Sequence, residues 1–167
     1  LKGKTFAFTD LLSLSGYYYP KYRLYKIKTF PNKFFTKIIF TSSHDNSIKA
    51  VAQKIVDVAA VDSIVYETLL KQNNSYAKEV KVIEKSPPFG IPPVVIRKGL
   101  KEYKKKKLLN ILLNMHKDRE GSKILEKLSI DRFISSSDKI YSYAEKIIKE
   151  CELEMGVRSK KCLLIYA

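Results

Sequence analysis

Apolar and polar residues alternate along this chain in short blocks rather than in one long run. Residues 5–9, Thr-Phe-Ala-Phe-Thr, form a β-rich block that predicts a strand. A Ser-rich loop over 10–16 leads to residues 17–28, which pattern as a helix with Pro20 in its first turn. Residues 34–40, Phe-Phe-Thr-Lys-Ile-Ile-Phe, predict a second strand after a Pro31-Asn32 turn. Thr41, Ser42 and Ser43 make a polar turn rich in N-cap candidates. Ile48, Val51, Ala52 and Ile55 then fall on one helical face, and the apolar run 56–61 reads as a short buried strand.

Beyond it, 71–78 is a polar loop, 80–84 a strand, and 86–93 a stretch with four prolines in eight residues. Those prolines forbid a regular helix and stiffen an extended crossing, so this stretch is the expected hinge. A strand over 94–97 follows. Leu108, Leu109, Ile111, Leu112 and Met115 mark an amphipathic helix that ends near His116. Further helices are expected over 121–128 and 141–155, and the apolar ending Leu163-Leu164-Ile165-Tyr166 fits no element. Strands alternating with helices argue for an α/β domain with a mainly parallel sheet.

Candidate chemistry sits where elements change. His44 stands at a helix start and Asp62 at a strand end, positions from which α/β sheets contact ligands. They are either neighbours across a ligand cleft or simply caps of successive helices. Ser13 and Ser15 run into Gly16 ahead of a helix, which makes either an anion site or an ordinary cap. The tyrosines at 17, 18, 19, 22 and 25 read as amphipathic packing. His116 has no second ligand at helical spacing, so no metal site is expected there. Neither serine lies in a Gly-x-Ser-x-Gly elbow, and no nucleophile constellation surrounds His44 and Asp62, which disfavours an enzyme.

Composition narrows this further. The 167 residues carry a net charge of +15, with 45% hydrophobic and 29% charged residues. That suits one or two small soluble domains, and no apolar run has the length of a membrane span. The charge invites nucleic acid, but its carriers are overwhelmingly lysines spread over every segment. Only five arginines are present to make bidentate contacts. The dense run Lys104–Lys107 opens a helix and reads as a solvated face, so an anionic solute is the better partner. Cys151 and Cys162 lack metal-site spacing and could pair or stay free.

Four stretches together resemble a known family: 1–22 (LKGKTFAFTDLLSLSGYYYPKY), 42–67 (SSHDNSIKAVAQKIVDVAAVDSIVYE), 82–100 (VIEKSPPFGIPPVVIRKGL) and 111–133 (ILLNMHKDREGSKILEKLSIDRF). The chain resembles the phosphate/phosphite/phosphonate solute-binding proteins of ABC transporters, which have the type II periplasmic-binding-protein fold. The resemblance implies a second lobe over 1–85, a hinge over 86–93, a returning strand and helices of the first lobe over 94–133, and a helical tail over 134–167. It also implies an oxyanion ligand (phosphate, phosphite or phosphonate) held by Ser13, Leu14, Ser15, Gly16, His44 and Asp62, without cofactor or metal. Serine hydroxyls, helix N-terminal N–H groups and His44 would donate to the anion. Asp62 would accept from a P–OH or a ligand amine, selecting a protonated anion.

Leu14 stands where the family usually has threonine, which removes one hydroxyl donor and costs on the order of 1 kcal/mol or more in affinity. The family's N-terminal lobe would precede Leu1, with a membrane anchor there as one arrangement. The expected location is periplasmic or extracytoplasmic, and the expected partner an ABC-transporter permease. A signalling output domain is the alternative partner, for a ligand-sensing domain. A non-binding remnant is a third reading. Helices over 108–128, short of their first-lobe neighbours, would expose an apolar stripe and could pair two copies as a homodimer.

Overall fold

The computed structural model describes residues 1–156. The chain divides into two compact units, one formed by Leu1–Pro88 with helix Ser142–Glu154, the other by Phe89–Tyr141. The apolar ending and Cys162 lie outside the described residues.

The first unit is built on strand β1, Thr5–Phe8. It lies in the middle of a parallel sheet of order β2-β1-β3, paired on one side with β2 (Lys37–Phe40) and on the other with β3 (Val58–Ala59). A central strand is covered on both faces, and its alternating side chains go opposite ways. Phe6 and Phe8 pack with Leu24 of α1 (Tyr19–Lys26) and with Phe35. Phe35 follows the short helix α2, Pro31–Phe34. Ala7 packs on the other face with Val56 and with Ala50 of α3 (His44–Ala52). Burying a phenylalanine such as Phe8, 2% exposed, is worth about 2–3 kcal/mol. The remaining helices of this unit are α4 (Ser63–Lys71), α5 (Ser75–Glu79) and, returning after the second unit, α8 (Ser142–Glu154), which packs on α1.

The second unit carries α6 (Glu102–Asn114), a 3-10 turn at Met115–Lys117 and α7 (Arg119–Lys127), capped by the Asp118 side chain. Gly121 sits so close to Met115 that a Cβ there would stand 2.3 Å from its carbonyl oxygen. Leu108, Leu109 and Ile111 of α6 are about half exposed. Among the described residues no helix is long and apolar enough to cross a membrane.

The structure corrects several expectations. Residues 80–84 and 94–97 join no sheet among the described residues, and Val82, Ile83, Val94 and Val95 are exposed. A β-rich segment becomes a strand only beside a strand edge that completes its hydrogen bonds. The polar stretch 71–78 is not all loop, because the Asn74 side chain accepts from Ala77 N–H and starts α5. The second strand begins at Lys37 instead of Phe34, because Pro31 starts a helical turn. The third is trimmed to two residues. Ile55 leaves the helical face, since α3 ends at Ala52 and Lys54 turns left-handed (φ 58°); Ile55 is 56% exposed.

Candidate functional site

All three strands are parallel, so their carboxyl ends open on one edge of the sheet, where ligands of open α/β folds bind. Each predicted site residue lies in a segment that leaves one of those ends.

The segment after β1 is a wide turn. The Ser13 carbonyl accepts from both Tyr17 and Tyr18 N–H at 3.1 Å, and the Leu14 carbonyl accepts from Tyr19 N–H. The two i→i+5 bonds among these, from Tyr18 and Tyr19 N–H, make Leu14–Tyr18 a π-helical turn that runs into α1. Such turns are rare and often mark functional sites. Ser13 is the N-cap, its hydroxyl oxygen accepting from Gly16 N–H at 2.9 Å. Its own O–H proton remains available to a ligand. The N–H groups of Leu14 and Ser15 lie in the first turn, where a helix offers no internal acceptor. Gly16 is buried against Thr9, and a Cβ at Gly16 would stand 2.0 Å from the Thr9 hydroxyl oxygen. The glycine is therefore fixed by close approach to the end of β1. Leu14 is half-buried and contributes only backbone to this turn's polar chemistry.

The segment after β2 is tied to the same strand end. Thr41 N–H donates to the Phe8 carbonyl at 3.0 Å and Ser42 N–H to the Thr9 carbonyl at 2.8 Å, while Thr9 N–H donates to the Gly16 carbonyl at 3.2 Å. A continuous ladder thus joins the wide turn to the turn carrying His44. Ser42 has φ 66°. Among the described residues the other non-glycine positions with positive φ, Lys28, Lys54, Asn73 and Ser129, each close a helix, where this conformation is common. Ser42 precedes one instead. It holds an unfavourable conformation at a site segment, where strain tends to concentrate. Ser43, not His44, caps α3, its hydroxyl oxygen facing Asn46 N–H at 3.4 Å. Hydrogen bonding to Ser43 holds the Asp45 carboxyl below its ordinary pKa of 3.8.

His44 and Asp62 meet. The Asp62 backbone N–H donates to His44 Nδ1 at 3.0 Å. With Nδ1 an acceptor, the neutral ring carries its proton on Nε2, which leaves a donor directed away from Asp62. Asp62 also caps α4, one carboxylate oxygen accepting from Ile64 N–H at 2.8 Å, while the other keeps its acceptor capacity. The cap reading of Asp62 is the one these contacts show. Thr9, Ser42 and the Thr41–Ser47 hydroxyl pair (2.5 Å) buttress the site, and sequence reasoning assigned them no role there. The signal available for Thr9 was a hydroxyl placed directly after an apolar strand.

Among the described residues, no group of three or more metal-ligating side chains occurs. A shallow cavity of about 120 Å³ lies at the other end of α1, lined by Tyr25, Lys26, Glu150, Leu153 and Glu154, away from the strand ends.

Residues 1–141 match the family described as ABC transporter, phosphonate, periplasmic substrate-binding protein. The chain belongs to this family. It is 32% identical over 162 residues to the phosphonates-binding periplasmic protein of Escherichia coli K12, covering 97% of this chain and 47% of that one. The crystal structure of a binding-protein component of the ABC phosphonate transporter of Pseudomonas aeruginosa superposes with a TM-score of 0.79. Its identity is 31%, over 95% of this chain and 53% of that one. The structure of PhnD1 from Prochlorococcus marinus in complex with methylphosphonate superposes at 0.70, with 27% identity over 94% of this chain and 58% of that one.

The fold is that of type II periplasmic-binding proteins, and these relatives are binding proteins rather than enzymes. The chain spans about half the length of the curated relatives it matches.

Proposed function

We propose that this chain carries one half of a binding site for a phosphonate-type oxyanion, feeding an ABC transporter. The observation that carries the reading is the convergence of three donor-bearing segments at the carboxyl ends of adjacent parallel strands. The wide turn offers N–H groups of Leu14 and Ser15 and the hydroxyls of Ser13 and Ser15, at the positive end of a helix. His44 adds an Nε2–H donor, fixed in tautomer by Asp62 N–H. Asp62 is the one acceptor, and it faces either a P–OH proton or an amine on the ligand's organic arm. An acceptor in a ring of donors disfavours fully ionised anions, which have no proton to give it.

Phosphite and phosphate share the tetrahedral oxygens and remain within the same site's reach. The relatives' names support phosphonate or phosphite as the solute and a transporter permease as the partner, at a periplasmic location.

Calorimetry against phosphate, phosphite, methylphosphonate and 2-aminoethylphosphonate tests the reading. The expected result is saturable binding of a phosphonate, abolished by His44→Ala and by Asp62→Ala. Binding that survives both substitutions would place the solute elsewhere, and silence toward all four anions would deny this chain a working half-site.

A further inference from the structure

We propose that helix α8 is a strap that sets the geometry of the wide oxyanion turn, with Cys151 as the positioning residue through which it acts. The purpose assigned to the strap rests on the oxyanion reading above. Its existence rests on contacts within the first unit.

A π-helical turn is intrinsically poorer than an α-helical one and persists where its surroundings hold it. Here the holding element is α8. The Cys151 thiol donates to the Tyr18 carbonyl at 3.5 Å, in the last residue of the wide turn. Ile147, Cys151 and Met155 recur every four residues from α8 into the residue just past its end, and so share one face. Ile147 and Cys151 are fully buried, and α8 packs against both the wide turn and α1. Further along, Lys21 Nζ of α1 reaches Met155 Sδ at 2.8 Å and Tyr17 Oη at 2.9 Å. At the surface, Lys26 Nζ pairs with Glu150 at 2.6 Å.

The chain therefore returns after the second unit to grip the turn from which Ser13 and Gly16 are hung. Cys151 is a free thiol, and burial pushes its pKa up to about 11, so it stays protonated and remains a donor near neutral pH. The family model matches residues 1–141, while the alignment with the Escherichia coli relative covers 97% of the chain and so takes in α8.

Amide hydrogen exchange of the whole chain, followed by NMR without ligand, tests the strap. Cys151→Ala is expected to speed exchange at Gly16, Tyr17 and Tyr18 by about tenfold, leaving Asn46 and Ile64, in caps of the same unit, unchanged. Cys151→Ser, which restores a donor, is expected to recover most of the protection. If Cys151→Ala does not fold, Lys26→Gln loosens α8 from the surface and is expected to give the same local pattern. Uniform acceleration, no acceleration, or failure of serine to rescue would overturn the proposal.

A methylphosphonate titration of Cys151→Ala, expected about tenfold weaker than wild type, then reads the consequence for binding. Absence of binding in the wild type would refute the oxyanion reading, while the exchange pattern would still decide the strap.

Discussion

Gly16 shows how tightly single residues set this site. Its Cα lies against the Thr9 side chain at the end of β1, with no room for a methyl group. Gly16→Ala would push the wide turn off the strand and is expected to cost about 1–3 kcal/mol of stability, as overpacking does. Chemical denaturation measures this; an unchanged midpoint would show that the turn is not seated as described. His44 illustrates a second residue-scale device. The Asp62 backbone N–H, rather than any side chain, occupies Nδ1, and the proposed donor to an anion is the other ring nitrogen. A histidine, an aspartate and a serine pair in the sequence do not reveal such a choice. It depends on an N–H eighteen residues away being brought within 3.0 Å.

At the scale of elements, the edges of the small sheet are held by polar locks as well as by packing. Asp57, just before β3, accepts from both the backbone N–H and the hydroxyl of Thr5 at the start of β1, at 2.8 and 2.9 Å. Those bonds, the backbone one foremost and with Lys4 adding attraction, hold its carboxyl below the ordinary 3.8. The folded state thus binds this proton less readily than the unfolded state. The lock's stabilisation is complete above the unfolded pKa near 4 and is lost as pH falls through the lower folded value. Stability of Asp57→Asn is therefore expected to fall less steeply below pH 4 than that of the wild type, which acid titration of the melting temperature would show; parallel curves would remove Asp57 from the account.

Elements with strong local signals were legible in the sequence. Phe6, Ala7 and Phe8 marked a buried strand, Pro20 a first helical turn, and Ile48 and Val51 a helix face. Where legibility failed, it failed for non-local reasons. Residues 80–84 and 94–97 carry strand-like composition without a strand beside them among the described residues, and α5 is started by one asparagine cap. The π-helical turn Leu14–Tyr18 straddles the expected Ser-rich loop over 10–16 and the expected helix over 17–28, because a π-helical turn has no compositional signature. The grip of α8 on that turn joins Cys151 to Tyr18, 133 residues apart, beyond any local pattern.

At the scale of the molecule, the surplus of basic residues, +15 overall, favours anions in general and draws them toward the surface. It does not choose among anions, and the proposed site at the strand ends is where that choice would be made. The central proposal is that Ser13, Leu14, Ser15, Gly16, His44 and Asp62 act together on one oxyanion. A two-dimensional 1H–15N NMR titration of the chain with methylphosphonate tests it most directly. The account predicts saturable shifts confined to the amides of Leu14–Gly16 and Asp62 and to the His44 imidazole, all fitting one dissociation constant. Shifts scattered over the lysine-rich surface and growing without saturation would contradict it, as would a spectrum that does not change.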